Sequence, residues 1–428
     1  MKAKQVWWSV AAVVTAGVVA ATAALGVEIQ RTYNHLDHGE PYAQDAPETL
    51  VEPAQAGQYD AAALTARLDE LGKDKALATF GGQVIDARTH EVVWEREPAK
   101  PLTPASSTKV LTLAAATLAL DEEETITTQV VRGEKDGEVV IKAAGDVWLT
   151  DERLDDLAEQ IKAKAGDVKR VSIDTSVWSG PDQAPGWDDD NIDGGYVAPI
   201  QPAMLYGGRL GEKTGDVPRS HEPALDVARA LAGRLGTDKA DMATAPAGAE
   251  SLASTDSEPL AVRAQEAAKD SDNVMAEAIA REVALSQHQE ASFEGAAQAT
   301  LDVLQGHGFD TAGITIKDNS GLSRDNRITA GLLAHILDKA ASEEDLRPLM
   351  GYLPLAGGEG TLYQRYTGSP ARGFVRAKTG TLTGTSALAG TAQGQSGNVF
   401  AFAFLVNDGD VNSARQAQDA LAAALHDF

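Results

Sequence analysis

The chain has 428 residues, 43% of them hydrophobic, enough to bury a sizeable core in one large domain or two to three smaller ones. Its 63 acidic and 37 basic side chains give a formal net charge of -26, which would repel a phosphate backbone and excludes nucleic acid as a partner. The chain has no cysteine and its eight histidines form no HExxH pattern, so we expect neither a disulfide, nor a metal site, nor a cofactor.

The N-terminal segment predicts export. Lys2 and Lys4 precede an uncharged run over 6–27, long enough to cross a hydrocarbon core, with acidic residues after it. The segment 1–27 is therefore either a retained signal-anchor or a signal peptide cleaved near Ala21–Ala23. Residues 28–58 are rich in proline and acids and predict a disordered stalk.

Hydrophobic periodicity then predicts elements in chain order. Leu64, Leu68 and Leu71 indicate an amphipathic helix, and strand-like runs over 77–84 and 92–94 indicate a hairpin. A helix over 105–120 has no polar face and should be buried. Near the other end, strands are expected over 386–392 and 399–406, followed by a helix over 411–425. Strands and helices are thus expected near both ends of the chain, with a long stretch of different composition between them. This pattern predicts an α/β domain over 59–125 and 256–428, interrupted by an insertion over 126–255.

The buried helix opens with the sequence Ser106-Ser107-Thr108-Lys109. Positions three apart share a helix face, so the side chains of Ser106 and Lys109 should meet. A lysine removed from water loses affinity for its proton and can accept that of the serine, which makes Ser106 a candidate nucleophile. The alternative is a helix-entry hydroxyl with a solvated lysine, and it fits poorly with a helix that is apolar on every side. The chain has no GxSxG elbow, so a Ser-His-Asp triad has no starting point.

Ser271-Asp272-Asn273 directly precedes a helical stripe marked by Met275, Ile279 and Val283. All three residue types favour a helix N-cap, and capping alone is the structural alternative for this motif. The functional interpretation is a second hydroxyl that relays a proton, at Ser271, and an amide that holds a substrate, at Asn273.

Lys378-Thr379-Gly380 lies on a strand-like run over 374–383. A lysine and a hydroxyl there could bind a carboxylate, while Gly380 leaves room for a close approach of backbone or ligand. The alternative is an exposed lysine on an edge strand. Two look-alike motifs, Lys213-Thr214-Gly215 and Ser396-Gly397-Asn398, stand in the wrong chain order and in polar or turn-like contexts.

This set of three motifs is the signature of serine β-lactamases and penicillin-binding proteins. The chain more closely resembles the class C low-molecular-mass penicillin-binding proteins, which are D-alanyl-D-alanine carboxypeptidases and endopeptidases. The resemblance runs from about Leu77 to Val406 and includes five stretches of sequence: Pro104 to Lys109, Ala184 to Trp187, Asp318 to Arg324, Leu353 to Thr361 and Ala377 to Gly390.

The resemblance implies a transpeptidase-like fold, an antiparallel sheet with helices on both faces, interrupted by a β-rich inserted domain. It implies that Ser106 attacks the D-Ala carbonyl with Lys109 as base, and that the backbone N–H groups of Ser106 and Thr381 stabilise the oxyanion. Ser271 would protonate the departing D-alanine and Asn273 would orient the peptide. The terminal carboxylate would be bound by Lys378 and Thr379, beside Gly380.

The substrates implied are peptidoglycan peptides ending in D-Ala-D-Ala, and β-lactams would act as inhibitors. Some members also bind the end of a diaminopimelate side chain, and the matching positions here are Asp190 and Arg324 beside Trp187. Asp188 and Asp189 stay open as the acid of this pocket. The alternatives to a peptidase are a β-lactamase and a non-catalytic peptidoglycan-binding envelope protein. The number of inserted modules and the oligomeric state also stay open.

Overall fold

The structure is a computed structural model that describes residues 22, 24–28, 30 and 57–428. The chain divides into two units, Met1–Ala54 and Gln55–Phe428. In the first unit the described residues 22, 24–28 and 30 are helical. The predicted membrane segment and the stalk otherwise lie outside the described residues. Within the described part of the chain, no helix is both long and apolar enough to cross a membrane.

The second unit alternates strands and helices along the chain, as expected of an α/β protein. The strands are β1 Thr79–Asp86, β2 Glu91–Arg96, β3 Thr127–Arg132, β4 Glu138–Lys142, β5 Asp146–Leu149, β6 Arg170–Asp174, β7 Ala203–Leu205, β8 Ala240–Met242, β9 Ser251–Asp256, β10 Val375–Leu382, β11 Thr385–Gln393 and β12 Val399–Asn407. The helices are α1 Ala61–Leu71, α2 Thr108–Ala119, α3 Asp151–Ala165, α4 Pro223–Arg234, α5 Leu260–Lys269, α6 Asn273–Ser286, α7 Phe293–Gly306, α8 Ala330–Ser342, α9 Pro348–Tyr352 and α10 Val411–His426.

The central sheet is formed by strands from both ends of the chain. Its order is β10-β11-β12-β1-β2, and every neighbouring pair is antiparallel. The hairpin predicted over 77–94 and the strands and helix predicted after residue 385 are all present. The chain therefore closes its first and last elements into one sheet, as their similar pattern predicts.

Both faces of this sheet are covered by helices because its strands are apolar on both sides. In β12 the residues alternate in size: Phe400, Phe402 and Phe404 pack in the core with α1 and α10. Ala401 and Ala403 point to the other core, which contains α2, α6, α7 and α8. Small alanine side chains on that face let the helices approach the sheet closely.

A second five-stranded sheet is built from residues 127–256, in the order β8-β6-β4-β3-β9. The pairs β4–β6 and β6–β8 are parallel. Parallel neighbours need a long crossover, and α3 and α4 provide it. The insertion implied by the resemblance is thus not simply β-rich, since two helices share its core. Its boundaries, 126–255, stay a prediction.

The helix predicted over 105–120 is present and buried. A short 3-10 turn, Ala105–Ser107, leads into α2, whose residues 108–116 are all buried. The structure thereby carries Lys109 into the centre of the protein with its side chain fully inaccessible to solvent. A solvated lysine, the alternative for this position, does not occur.

Candidate active site

Ser106 lies on the 3-10 turn that precedes α2 and keeps partial contact with solvent. The preceding residue, Ala105, has φ 49°, a left-handed conformation that is costly for a residue with a Cβ. The turn packs closely on Gly321, where a Cβ would come within 1.9 Å of the Ala105 carbonyl oxygen. A strained turn held by its surroundings fixes the position of the Ser106 hydroxyl.

Lys109 connects the motifs of the site. Its Nζ lies 3.3 Å from Ser106 Oγ, 2.6 Å from Asn273 Oδ1 and 2.7 Å from the Ser320 carbonyl oxygen. Burial lowers the pKa of Lys109 to about 8, against the opposing pull of Asp318, Asp272 and Glu277. An amine with this pKa, next to a hydroxyl, can accept its proton near neutral pH.

In the Ser271-Asp272-Asn273 motif, only Asp272 caps the following helix, while Ser271 and Asn273 bind the two buried lysines. The N-cap of α6 is Asp272, whose carboxylate accepts a hydrogen bond from the Met275 N–H at 2.8 Å. Ser271 has φ 59° and its hydroxyl accepts a hydrogen bond from Lys378 Nζ at 2.9 Å. The Asn273 amide bridges from Lys109 to the Tyr196 carbonyl oxygen, to which Nδ2 donates at 2.9 Å. The capping alternative therefore holds for Asp272 and not for the other two.

Lys378 lies on β10 and is fully buried rather than exposed at a sheet edge. Burial and the nearby positive charge of Lys109 hold the pKa of Lys378 well below its ordinary value. Gly380 permits the close packing of β10 on the Ser106 turn, because a Cβ there would come within 2.6 Å of the Pro104 carbonyl oxygen.

Thr379 and Thr381 carry the hydroxyls of this strand. Thr379 Oγ1 lies 2.9 Å from Thr361 Oγ1, and Thr381 Oγ1 accepts a hydrogen bond from Arg415 Nη2 at 2.7 Å.

The two look-alike motifs lie in other surroundings. Lys213 is exposed, with its Nζ 3.6 Å from an Asp151 carboxylate oxygen and over the Tyr206 ring. Ser396 and Asn398 belong to the turn between β11 and β12, where their side chains hydrogen-bond to each other at 2.8 Å. Neither motif has a hydrogen bond to the Ser106 side chain in the described structure.

A cavity of ≈ 650 Å³ is lined by Trp187, by Asp190 and the neighbouring acids, and by Tyr196. We call it the tryptophan cavity. The Trp187 indole donates to Asp318 Oδ2 at 2.7 Å, which fixes the ring. Arg324 lies beside it, with Nη2 2.9 Å from Asp188 Oδ2.

The acid of this pocket, which the sequence left open among Asp188, Asp189 and Asp190, stays a prediction. The carboxylate that pairs with Arg324 is that of Asp188. The chain coils into a 3-10 turn over Asp189–Asn191, so Asp188, just before that turn, is the acid that faces Arg324. Asp190 lines the cavity but makes no ion pair with Arg324 in the described structure.

One partner of the site that the sequence did not reveal is Arg209. Its guanidinium pairs with Asp272 at 2.8 Å, and both side chains are almost fully buried. Burial alone would raise the pKa of Asp272, but Arg209 and Arg219 outweigh it and keep the pKa below its ordinary value. The Arg209 guanidinium also stacks over Trp148. Nothing in the sequence links an arginine in a glycine-rich loop to an aspartate 63 positions later.

A second unforeseen partner is Glu277, one helical turn after Asn273 on α6. Its Oε1 accepts hydrogen bonds from the backbone N–H groups of Asn319 and Ser320, at 2.8 and 2.7 Å. These bonds hold the segment that ends at Ser320, whose carbonyl oxygen contacts Lys109. Burial and the neighbouring Asp318 raise the pKa of Glu277 to about 7. The sequence could have indicated Glu277, because it lies four residues after Asn273 and positions four apart share a helix face.

The site therefore holds a serine on a strained turn, a buried amine as base, a second hydroxyl and a buried lysine on a neighbouring strand. These are the groups needed for acyl transfer through a serine ester. Among residues 57–428 and the few described before them, no cluster of three or more potential ligand side chains could hold a metal ion.

Comparisons with known proteins agree with one another. The profile of the D-Ala-D-Ala carboxypeptidase 3 (S13) family matches residues 64–223 and 209–427. "Carboxypeptidase DacB" of Mycolicibacterium smegmatis is 43% identical over 401 residues, which cover 89% of this chain and 86% of that protein.

Two solved structures of penicillin binding protein 4 (dacB) from Haemophilus influenzae share the fold. The first has a TM-score of 0.71 and 22% identity over 86% of this chain and 98% of the other. The second, complexed with a novel β-lactam, has a TM-score of 0.62 and 22% identity over 85% of this chain and 98% of the other.

Proposed function

The chain belongs to the D-Ala-D-Ala carboxypeptidase 3 (S13) family and is a serine-type carboxypeptidase, and on that premise we propose that its acyl-enzyme forms on Ser106. The observation that carries this assignment is the buried amine of Lys109, 3.3 Å from Ser106 Oγ and hydrogen-bonded to Asn273. The substrates are peptidoglycan peptides that end in D-Ala-D-Ala.

In acylation, Lys109 accepts the Ser106 proton as Oγ attacks the carbonyl carbon of the penultimate D-alanine. The backbone N–H groups of Ser106 and Thr381 bind the developing oxyanion, an interaction worth about 3 kcal/mol per donor in other enzymes. The proton passes through Ser271 to the amine of the departing D-alanine, and the C–N bond breaks. Water then hydrolyses the Ser106 ester. A penicillin forms the same ester, but its opened ring stays attached and acts as an inhibitor.

The substrate carboxylate binds to Lys378 and Thr379. Lys378 already donates to Ser271 Oγ, so the cation that holds the carboxylate also orients the proton relay. A substrate carboxylate bound beside Lys378 would raise the pKa of this lysine, because a nearby negative charge stabilises the protonated amine. Lys378 would therefore be charged in the complex. This supports selectivity for peptides with a free C-terminus.

Lys378 and Lys213, the lysine of the look-alike motif, give a direct test of carboxylate binding by Lys378. Lys378→Ala should lower kcat/KM for D-Ala release by about 100-fold or more, since a buried charge-assisted contact is lost. Lys213→Ala should change it by less than about twofold, because that lysine forms only exposed pairs. The measurement is steady-state release of D-alanine from a D-Ala-D-Ala peptide. Equal losses in the two variants would contradict the assignment.

We further propose that the tryptophan cavity binds the zwitterionic end of a diaminopimelate side chain. The guanidinium of Arg324 would take its carboxylate, displacing Asp188, and Asp190 would take its ammonium. The Arg324–Asp188 pair is about half exposed, 51% and 59%, so it is weak enough to be exchanged for a substrate.

Arg324→Ala should therefore cost about 1.5 to 3 kcal/mol in kcat/KM with a diaminopimelate-bearing peptide, and little with a D-Ala-D-Ala peptide that lacks that side chain. Asp190→Asn should likewise lower kcat/KM for the diaminopimelate-bearing peptide, whereas Asp188→Asn should not lower it. Arg132→Ala, which breaks an exposed pair with Glu250, is the matched control. Equal effects of Arg324→Ala on both substrates would remove it from this pocket.

We also propose a domain architecture and a cellular location for the protein. The central sheet would be a transpeptidase-like domain, interrupted by an inserted domain over 126–255 that carries Arg209. The protein would act in the cell envelope, outside the cytoplasm, either held by residues 6–27 or released after their removal. Fractionation of the producing cells, with and without residues 1–27, tests the location and the mode of attachment.

A further inference from the structure

Arg415, near the start of α10, reaches the strand that carries the Lys378-Thr379-Gly380 motif. Its Nη2 donates a hydrogen bond of 2.7 Å to Thr381 Oγ1. Thr381 is exposed and Arg415 is partly exposed, so both side chains are open to a ligand from solvent. A guanidinium presents several N–H donors in a planar fork, and within the described part of the chain the others on Arg415 have no hydrogen-bond partner.

Arg415 also forms no ion pair with a carboxylate in the described structure. Asp419, four residues later on the same helix, is a partner by spacing. Its carboxylate is engaged elsewhere, because Arg365 Nε lies 3.1 Å from both of its oxygens. Burial and the neighbouring Arg365 lower the pKa of Arg415, against the opposing effect of Asp419. Arginine nevertheless stays protonated in proteins, so Arg415 is a charged group without a counter-ion.

The surroundings make this cation significant for an anionic substrate. Other cations near the motifs already have carboxylate partners: Arg209 with Asp272, Lys269 with Glu359 and Arg324 with Asp188. Lys378 is fully buried, and burial together with Lys109 holds its pKa well below the ordinary value, which reduces its charge before a ligand binds. The whole chain has a net charge of -26 and repels anions at long range. Arg415 is therefore a permanent positive charge beside the site that a substrate anion can neutralise.

The geometry of β10 brings this charge to the proposed carboxylate site. Thr379 and Thr381 are two residues apart on the strand, so their side chains lie on the same face, with Cα atoms about 7 Å apart. A carboxylate that accepts one hydrogen bond at each oxygen can bridge two hydroxyls at this spacing. Since Thr381 Oγ1 already accepts from Arg415, its own proton is available for such a bond.

From these observations, and resting on the proposed function, we propose that Arg415 is a specificity residue of the carboxylate site. Its guanidinium, with the Thr381 hydroxyl that it orients, binds the free C-terminal carboxylate of the peptide and the equivalent carboxylate of a penicillin. Thr379 and Lys378 bind the same group from the other side. Arg415 supplies the charge that selects a free carboxylate, while Lys378 also orients Ser271.

A penicillin and its methyl ester test this role, because the two acylating agents differ only at the carboxylate. Arg415→Gln removes the charge, and Arg415→Lys keeps the charge without the planar fork. Arg229→Gln makes the same change in net charge on α4, where Arg229 is in an exposed pair with Asp226, and is the matched control. The measurement is the second-order rate constant for acylation by each agent, followed by intact mass.

We expect Arg415→Gln to lower the rate constant for the penicillin by about tenfold or more, and that for the methyl ester by less than about twofold. The ester has no charge for Arg415 to bind, so its rate also reports whether the site is intact. Arg415→Lys should keep at least about a third of the wild-type rate with the penicillin. The kcat/KM for D-alanine release from a D-Ala-D-Ala peptide should fall in Arg415→Gln as the penicillin rate does. Arg229→Gln should leave every value within about twofold of the wild type.

Three results would overturn this proposal. Equal losses with the penicillin and its ester in Arg415→Gln would show that Arg415 only supports the fold of β10. Unchanged acylation by the penicillin would show that it takes no part, and an equal loss in Arg415→Lys and Arg415→Gln would show that its charge is not what matters. Failure of the proposed function is distinguishable, since the wild-type protein itself would then neither react with the penicillin nor release D-alanine.

Discussion

Replacing Ser106 by alanine is expected to lower the release of D-alanine from a D-Ala-D-Ala peptide by about 10⁴-fold or more. The reason is that the reaction proceeds through an ester on Ser106 Oγ, and the remaining groups bind the substrate without supplying a nucleophile. KM should change far less than kcat, because Lys378 and the tryptophan cavity are untouched. The measurement is steady-state kinetics on purified protein, with circular dichroism to show that the fold is retained.

Ser396→Ala is the matched control for this variant. Ser396 belongs to the look-alike motif in the turn between β11 and β12, where its hydroxyl contacts only its own turn. Its replacement should leave kcat and KM within about twofold of the wild-type values. A Ser106→Ala protein that kept more than about a tenth of wild-type activity would contradict the assignment of the nucleophile.

Replacing Lys109 by methionine is expected to lower the rate of acylation by about 10³-fold, since general-base catalysis by the buried amine is lost while the volume is kept. The pH profile carries the more specific prediction. Only the neutral amine can accept the Ser106 proton, so the wild-type rate should rise as pH rises through the pKa of Lys109, about 8. The charged groups that act against burial on this pKa are Asp318, Asp272 and Glu277, and Lys109 in turn lowers the pKa of Lys378 on β10.

In Lys109→Met this rise near pH 8 should disappear, because the group that titrates is gone. The measurement is the pseudo-first-order rate of penicillin acylation between pH 6 and 10, at fixed ionic strength. Lys339→Met, on the surface of α8 and in an exposed pair with Glu343, is the control and should keep the wild-type profile. An unchanged rise in Lys109→Met would assign the titration to another base.

The sheet at the core was predictable because its strands carry strong local signals. The alternation of phenylalanine and alanine in β12, and the all-apolar helix α2, specify burial on both faces of a sheet and in the centre of a domain. The inserted region was less predictable. Its parallel pairs depend on which strands meet across α3 and α4, and sequence periodicity contains no information on such partners.

The groups that carry the chemistry were predictable for a different reason. Ser106 and Lys109 share a helix face by spacing alone, whereas Ser271 and Lys378 were distinguished from the look-alike motifs by chain order and by the helical or strand-like context in which they stand. The groups that hold them in place escaped prediction. The Arg209–Asp272 pair and the contacts of Glu277 with a distant loop form only after the chain has folded, and the pairing of Arg324 with Asp188 rather than with a neighbouring acid depends on one short turn.

The site of the covalent penicillin adduct tests the central assignment most directly. Penicillin-treated wild-type protein and Ser106→Ala should be compared by intact mass, and the labelled wild-type protein by peptide mapping. We expect the wild-type chain to gain one penicillin mass, on the peptide that contains Ser106, and the variant to gain none. An adduct on Ser106→Ala, or on a different serine of the wild type, would contradict the account, and rapid release of hydrolysed penicillin without a lasting adduct would indicate a β-lactamase instead.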